Sequence, residues 1–155
     1  MPSEPVAELR CANPQDAGMI RDLVRAAYAK WIPALGREPL PMKADYARAV
    51  REHQIDILYT GGRMLGLVET MLRSDHLWIE NIAVGPDSQG KGLGRQLLAH
   101  AERKAAEAGR AEIRLQTNAA FAANVALYER VGYLVDRREP FMGGTTVHMS
   151  KKLSR

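Results

Sequence analysis

The 155-residue chain predicts an α+β fold, a mixed and mostly antiparallel central sheet flanked by helices. Three observations carry that prediction. Short, β-branched runs with a period of two recur along the chain, and stretches with apolar residues at helical spacing lie among them. Three strand-like runs in a row are joined by tight turns, which makes an antiparallel meander. A glycine-rich loop and a long amphipathic stretch then separate the last of these from the next strand, which gives one crossover at the centre. The expected order is β-α-α-β-β-β-α-β-α-β-β. The length fits one domain over residues 1–155, and no repeat, low-complexity tract or linker divides it.

Residues 6–11 alternate around Val6, Leu9 and Cys11 and read as the first strand, with Cys11 a small buried residue rather than a nucleophile. Asn13 is placed to cap and Pro14 to open a helix over residues 14–30, whose apolar stripe is Met19, Ile20, Leu23, Val24, Ala27 and Tyr28. Residues 31–42 hold Pro33, Pro39 and Pro41, which exclude a regular helix and leave a long loop that either covers the core or serves function. A second helix over residues 43–52 carries Tyr46, Ala47 and Val50 on one face. Strands follow over residues 54–60 and 64–73, turned by Gly61-Gly62, and Ser74-Asp75 turns into a strand over residues 76–84. Residues 92–108 form a helix that buries Leu93, Leu97, Leu98, Ala101 and Ala105. A strand over residues 112–117, a helix over 120–131 stopped by Gly132, and strands over 133–138 and 145–153 complete the chain.

Composition narrows the function classes. A 46% hydrophobic and 26% charged chain is that of an ordinary globular protein. Its net charge of +4 suits an anionic ligand, but no helix carries the Lys/Arg stripe that duplex binding needs, so no nucleic acid is expected. One cysteine excludes an internal disulfide, and four scattered histidines offer no ligand set for a metal. The N-terminal residues lack the pattern of a secretory leader and no run of eighteen apolar residues occurs, so a cytoplasmic protein without membrane contact is expected.

The loop after the central strand carries the chemistry. Strand, glycine loop and helix are the order of an anion site, because glycines let successive N–H groups converge on phosphate oxygens and the helix start adds its free donors and positive dipole end. Lys91 and Arg95 add charge. Gly85, Gly90 and Lys91 match a triphosphate loop until Gly92, where Ser or Thr is required to hold magnesium. Gly90, Gly92 and Gly94 miss the dinucleotide fingerprint, which needs G-x-G-x-x-G. What remains is Gln89-x-x-Gly92-x-Gly94.

This loop resembles the Q/R-x-x-G-x-G/A loop of the GCN5-related N-acetyltransferases, the GNAT superfamily. Asn81-Ile82-Ala83-Val84 followed by Pro86, and the run from Asn124 through Leu127, Tyr128 and Gly132 to Tyr133, extend the resemblance to essentially the whole chain. One departure is Phe121, which stands where many members place an asparagine seven residues before the helical tyrosine; Asn124 is the nearest substitute. The resemblance implies acetyl-coenzyme A as cosubstrate, with pyrophosphate on Gln89, Gly90, Lys91, Gly92, Leu93, Gly94 and Arg95. It places pantetheine along Ile82, Ala83 and Val84, with Asn124 beside the cofactor. It also implies that the segment between the first two helices lines the acceptor site.

An amine acceptor is protonated at neutral pH and must lose a proton before it attacks a thioester. Glu80, just upstream of the pantetheine-binding part, is the candidate base, acting directly or through water. A backbone N–H around Ile82 is placed to stabilise the oxyanion, and Tyr128 resembles the acid that protonates the leaving thiolate. Trp78, on the strand face of Glu80, joins Trp31 and Tyr46 as a candidate aromatic wall for the acceptor. With no acyl-enzyme nucleophile in evidence, direct transfer in a ternary complex to a small-molecule or peptide amine is expected, by a monomer or homodimer. The alternatives are a CoA-binding sensor that has lost catalysis and an RNA- or ribosome-associated binder.

Overall fold

A computed structural model describes residues 7–153. The strands are β1 (Glu8–Cys11), β2 (Gln54–Thr60), β3 (Arg63–Leu72), β4 (Leu77–Val84), β5 (Glu112–Asn118), β6 (Leu134–Phe141) and β7 (Gly144–Lys152). The helices are α1 (Ala17–Tyr28), α2 (Ile32–Leu35), α3 (Tyr46–Glu52), α4 (Leu93–Glu107) and α5 (Ala122–Arg130). All seven strands join one sheet in the order β1-β2-β3-β4-β5-β7-β6. The pairs are antiparallel except β4 with β5, which the α4 crossover makes parallel, as the strand and turn pattern predicts.

Four local expectations need correction. Val6 lies outside the described residues, and Cys11 is exposed, because β1 is an edge strand whose burial pattern leaves three of its four residues open to solvent. Residues 31–42 are not devoid of helix: one α turn, α2, forms with Pro33 in its first turn, where a missing N–H costs no hydrogen bond. Lys43 ends a separate 3-10 turn, Leu40–Lys43, and α3 begins only at Tyr46, where the Asp45 carboxylate accepts from the Arg48 N–H at 3.1 Å. Its buried residues are Tyr46 and Ala49 rather than Ala47.

Helices cover the sheet on both faces. On one side Leu97, Leu98, Ala101 and Ala105 of α4 pack with Leu77, Ile79, Ile113 and Met149. On the other, Ile20 and Val24 of α1 and Tyr46 of α3 pack with Ile55, Ile57, Leu67 and Ala83. Gly66 lets β3 lie close to β4, since a Cβ there would stand 2.7 Å from the Ala83 carbonyl oxygen.

Two irregularities of β4 open this framework. The β3–β4 register passes from Glu69 opposite Asn81 to Thr70 opposite Ile79, which leaves Glu80 as the extra residue of a β-bulge. The bulge reverses the alternation: Leu77, Ile79, Ile82 and Val84 pack on the α4 side, whereas Asn81 and Ala83 face α1 and α3. Second, β4 pairs with β5 only over Leu77–Ile79. Beyond Ile79 the two strands part, and a wedge opens in the middle of the sheet.

Candidate active site

Two clefts meet at that wedge. The first, about 480 Å³, runs between the C-terminal half of β4, the residues 88–95 loop, α5 and the end of α1. The second, about 720 Å³, lies on the α1/α3 side. Tyr28, Ile82 and Tyr128 line both, so these three residues mark the junction.

The first cleft is built to hold anions. Gly90 and Gly92 have φ of +79° and +78°, a left-handed conformation that favours glycine, and they turn the loop into α4. No side chain caps α4, and its first internal bond runs from the Gln96 N–H to the Gly92 carbonyl, so the preceding donors are free for a ligand. Gly94 serves a different need: a Cβ there would stand 2.9 Å from Leu127, so glycine permits the close approach of α4 and α5. Lys30, Arg95 and Arg130 line this cleft, and among the described residues no carboxylate does.

The sequence-predicted cofactor residues mostly assemble here. Ile82, Ala83, Val84, Gln89, Gly90, Gly92, Leu93, Gly94, Arg95 and Asn124 all line the cleft; the exposed Lys91 is not among its lining. The Gln89 side chain braces the loop, donating to the Val84 carbonyl at 3.0 Å and accepting from Lys30 Nζ at 2.7 Å. Trp31 also lies at this cleft rather than at the second one. It stacks on Phe121 at 5.1 Å, and Phe121 meets Tyr28 edge to face at 5.9 Å. An apolar stack therefore occupies the Phe121 position, while Asn124 reaches the cleft from the next turn.

The second cleft has the opposite charge. Asp45, Glu52, Glu69, Glu80 and Glu139 line it against Arg37, Arg48 and His53. Tyr46 and Glu80 are both there, but Trp78 is not: it donates to Glu80 Oε2 at 2.8 Å from a neighbouring hollow that it shares with His76, Arg114 and His148.

A buried network holds the bulge in place. The Tyr28 hydroxyl donates to Asn81 Oδ1 at 2.7 Å and reaches the Ile82 carbonyl at 3.3 Å. Asn81 Nδ2 donates to the Tyr46 hydroxyl at 3.2 Å, which donates in turn to the Pro41 carbonyl at 2.7 Å. Since N–H and C=O of one extended residue point the same way, the Ile82 N–H also faces the junction. Burial raises the Tyr28, Tyr46 and Tyr128 phenols above their ordinary range, so all three stay protonated. Among the described residues the Tyr128 hydroxyl has no hydrogen-bond partner, and it is not sealed from solvent. It is a free donor at the junction.

Sequence reasoning missed Tyr28, Asn81, Lys30, Arg130, His53 and Glu69. Tyr28 reads as one more apolar residue of a helical stripe. A legible signal exists only for Glu69 and Asn81, polar residues inside otherwise apolar strand runs.

A bulged strand splayed from its parallel neighbour, an uncapped helix start beside it, and two clefts of opposite charge that share one junction define the site. A model of the acetyltransferase (GNAT) family matches residues 19–133, and the chain belongs to that family. Among curated proteins it is 40% identical over 76 residues to the ribosomal protein bS18-alanine N-acetyltransferase of Escherichia coli K12. That match covers 49% of this chain and 51% of the relative, so the chain spans about half the length of the curated relatives it matches. Among solved structures, the ribosomal-protein-S18-alanine N-acetyltransferase from Escherichia coli superposes with a TM-score of 0.78 at 23% identity, covering 97% of this chain and 96% of that one. The PaiA N-acetyltransferase from Thermoplasma acidophilum, in complex with coenzyme A, superposes with a TM-score of 0.84 at 16% identity, covering 95% and 99%. At these identities the superpositions establish the shared fold.

Proposed function

We propose that this protein is an N-acetyltransferase that moves an acetyl group from acetyl-coenzyme A to a primary amine by direct attack in a ternary complex. The observation that carries this reading is the pair of clefts of opposite charge meeting at Tyr28, Ile82 and Tyr128. The cationic cleft suits the phosphates of the cosubstrate, with pyrophosphate on the free donors at the start of α4 and the pantetheine arm along Ile82–Val84. The acidic cleft suits an ammonium group, drawn to Glu80 at the bulge. No metal enters the scheme.

Chemistry at the junction divides among a few groups. The ammonium gives up a proton to the carboxylates of the acidic cleft, the exposed Glu80 at the bulge among them, directly or through water. The free amine adds to the thioester carbon, and the Ile82 N–H stabilises the oxyanion. As the tetrahedral adduct collapses, the C–S bond breaks and Tyr128 donates its proton to the departing thiolate. The nitrogen loses its second proton, which restores Tyr128. Such transfer calls for intersecting initial-rate lines and no acetyl group on the protein.

A peptide amine is the acceptor class that the curated relatives favour, since they are named for acetylating an alanine of a ribosomal protein. The deciding experiment is a screen of small amines, amino acids and peptides with free N-termini, read by thiol release from acetyl-CoA. Coenzyme A binding without turnover of any acceptor would favour a sensor and sink the enzyme reading.

A further inference from the structure

Glu69 is the one carboxylate of the acidic cleft that the fold buries, at 3% exposure. It lies opposite Asn81 in the β3–β4 register, directly beside the bulge that brings Glu80 to the same face. Its Oε2 is held at 2.5 Å by Nδ1 of His53, the residue that ends α3. The other oxygen has no hydrogen bond among the described residues, yet it is not sealed off. It opens into the cleft.

A tie between α3 and β3 alone is a poor reason for this arrangement, because a buried carboxylate must overcome its desolvation and one of its oxygens is left without a protein donor. The groups around it fit proton transfer instead. From α3 come His53 and Tyr46, from α1 Tyr28, and from β4 Glu80; β2 contributes the apolar Ile55 opposite. Burial raises the Glu69 carboxyl above the usual range, the Glu80 charge adds to this, and His53 opposes it. A carboxylate raised toward neutrality is a better base at pH 7 than an ordinary one. His53 keeps 23% of its side chain exposed and so connects Glu69 to solvent.

We propose that Glu69 is a second proton-accepting residue of the acceptor cleft, taking the proton that the ammonium must lose, directly or through one water, and passing it through His53 to solvent. The inference rests on the amine-transfer reading of the cleft. In balance, the acceptor nitrogen loses two protons: one leaves by Glu69 and His53, and the other replaces the proton that Tyr128 gives to sulfur.

The test measures pH–rate profiles of the full chain with acetyl-CoA and one amine from the screen, for wild type, Glu69→Gln, His53→Gln and Glu80→Gln. Glu69→Gln should keep CoA affinity, lose about 10²-fold in kcat/KM, and lack the acid limb of the wild type. His53→Gln keeps a hydrogen-bond donor but removes the charge that lowers the Glu69 pKa, so the acid limb should persist and move to higher pH. A tie with no part in proton transfer would move neither limb. A Glu69→Gln enzyme with wild-type rate and limb, or a limb abolished only by Glu80→Gln, overturns the proposal while leaving the transferase reading in place. A wild type that acetylates no amine overturns both.

Discussion

The replacement Tyr128→Phe isolates one hydroxyl. The ring is 5% exposed and packs against Tyr133 at 6.0 Å, and phenylalanine keeps those contacts. Since the hydroxyl has no protein partner among the described residues, its loss breaks no hydrogen bond, and stability should change by less than about 1 kcal/mol. Coenzyme A affinity should hold as well. The maximal rate should fall. General acid help is worth about 10²-fold to 10⁴-fold, and burial makes this phenol a weaker acid than usual, which worsens its match to a thiolate and argues for the low end. A 10²-fold loss corresponds to about 2.7 kcal/mol of transition-state stabilisation. The raised pKa also bears on pH: the phenol stays protonated past its ordinary value, so any alkaline limb due to Tyr128 should begin only above about pH 10. The assay is single-turnover thiol release at saturating acetyl-CoA, where chemistry rather than product release is observed. An unchanged rate in a folded Tyr128→Phe protein would refute the acid role and leave Tyr128 a packing residue.

Other consequences follow from the same geometry. Gly92→Val places a branched side chain in open space beside the free donors of α4 and forces a left-handed φ of +78° that costs a β-branched residue about 1–2 kcal/mol, so CoA affinity should fall about tenfold or more by calorimetry. A folded Gly92→Val protein with wild-type affinity would remove the pyrophosphate assignment. Gly66→Ala drives a Cβ to 2.7 Å from the Ala83 carbonyl oxygen, and chemical denaturation should report a loss on the order of 1–3 kcal/mol; no loss would mean that β3 and β4 separate freely. Alkaline unfolding should be steep. Burial raises Tyr28, Tyr46, Tyr128 and Tyr133, so the stability that each contributes is complete below the unfolded pKa of about 10 and is lost as pH rises toward the folded value, at about 1.4 kcal/mol per pH unit per tyrosine. A melting temperature that stays level from pH 9 to 11 would contradict that burial.

What the sequence determined by itself is whatever depends on neighbours along the chain. The strand-like runs of β2, β3 and β4, the stripe of α4, the Gly61-Gly62 hairpin and the Gln89–Gly94 loop are local patterns, and each forms where its residues lie. Local chemistry could not decide how β1 is covered, and so Cys11 was misplaced inside. Nor could it reveal that Glu80 is a bulge residue, because a bulge exists only as a mismatch with the partner strand. That mismatch turns Asn81 toward Tyr28 and Tyr46, residues 53 and 35 positions away, and makes Glu69 their neighbour. The charge of a cleft is likewise a sum over distant segments: Lys30, Arg95 and Arg130 meet only because α1, α4 and α5 converge on the wedge that β4 and β5 open. Tertiary structure decided these features because proton transfer and ion recognition depend on distance and burial, and neither is a property of sequence spacing.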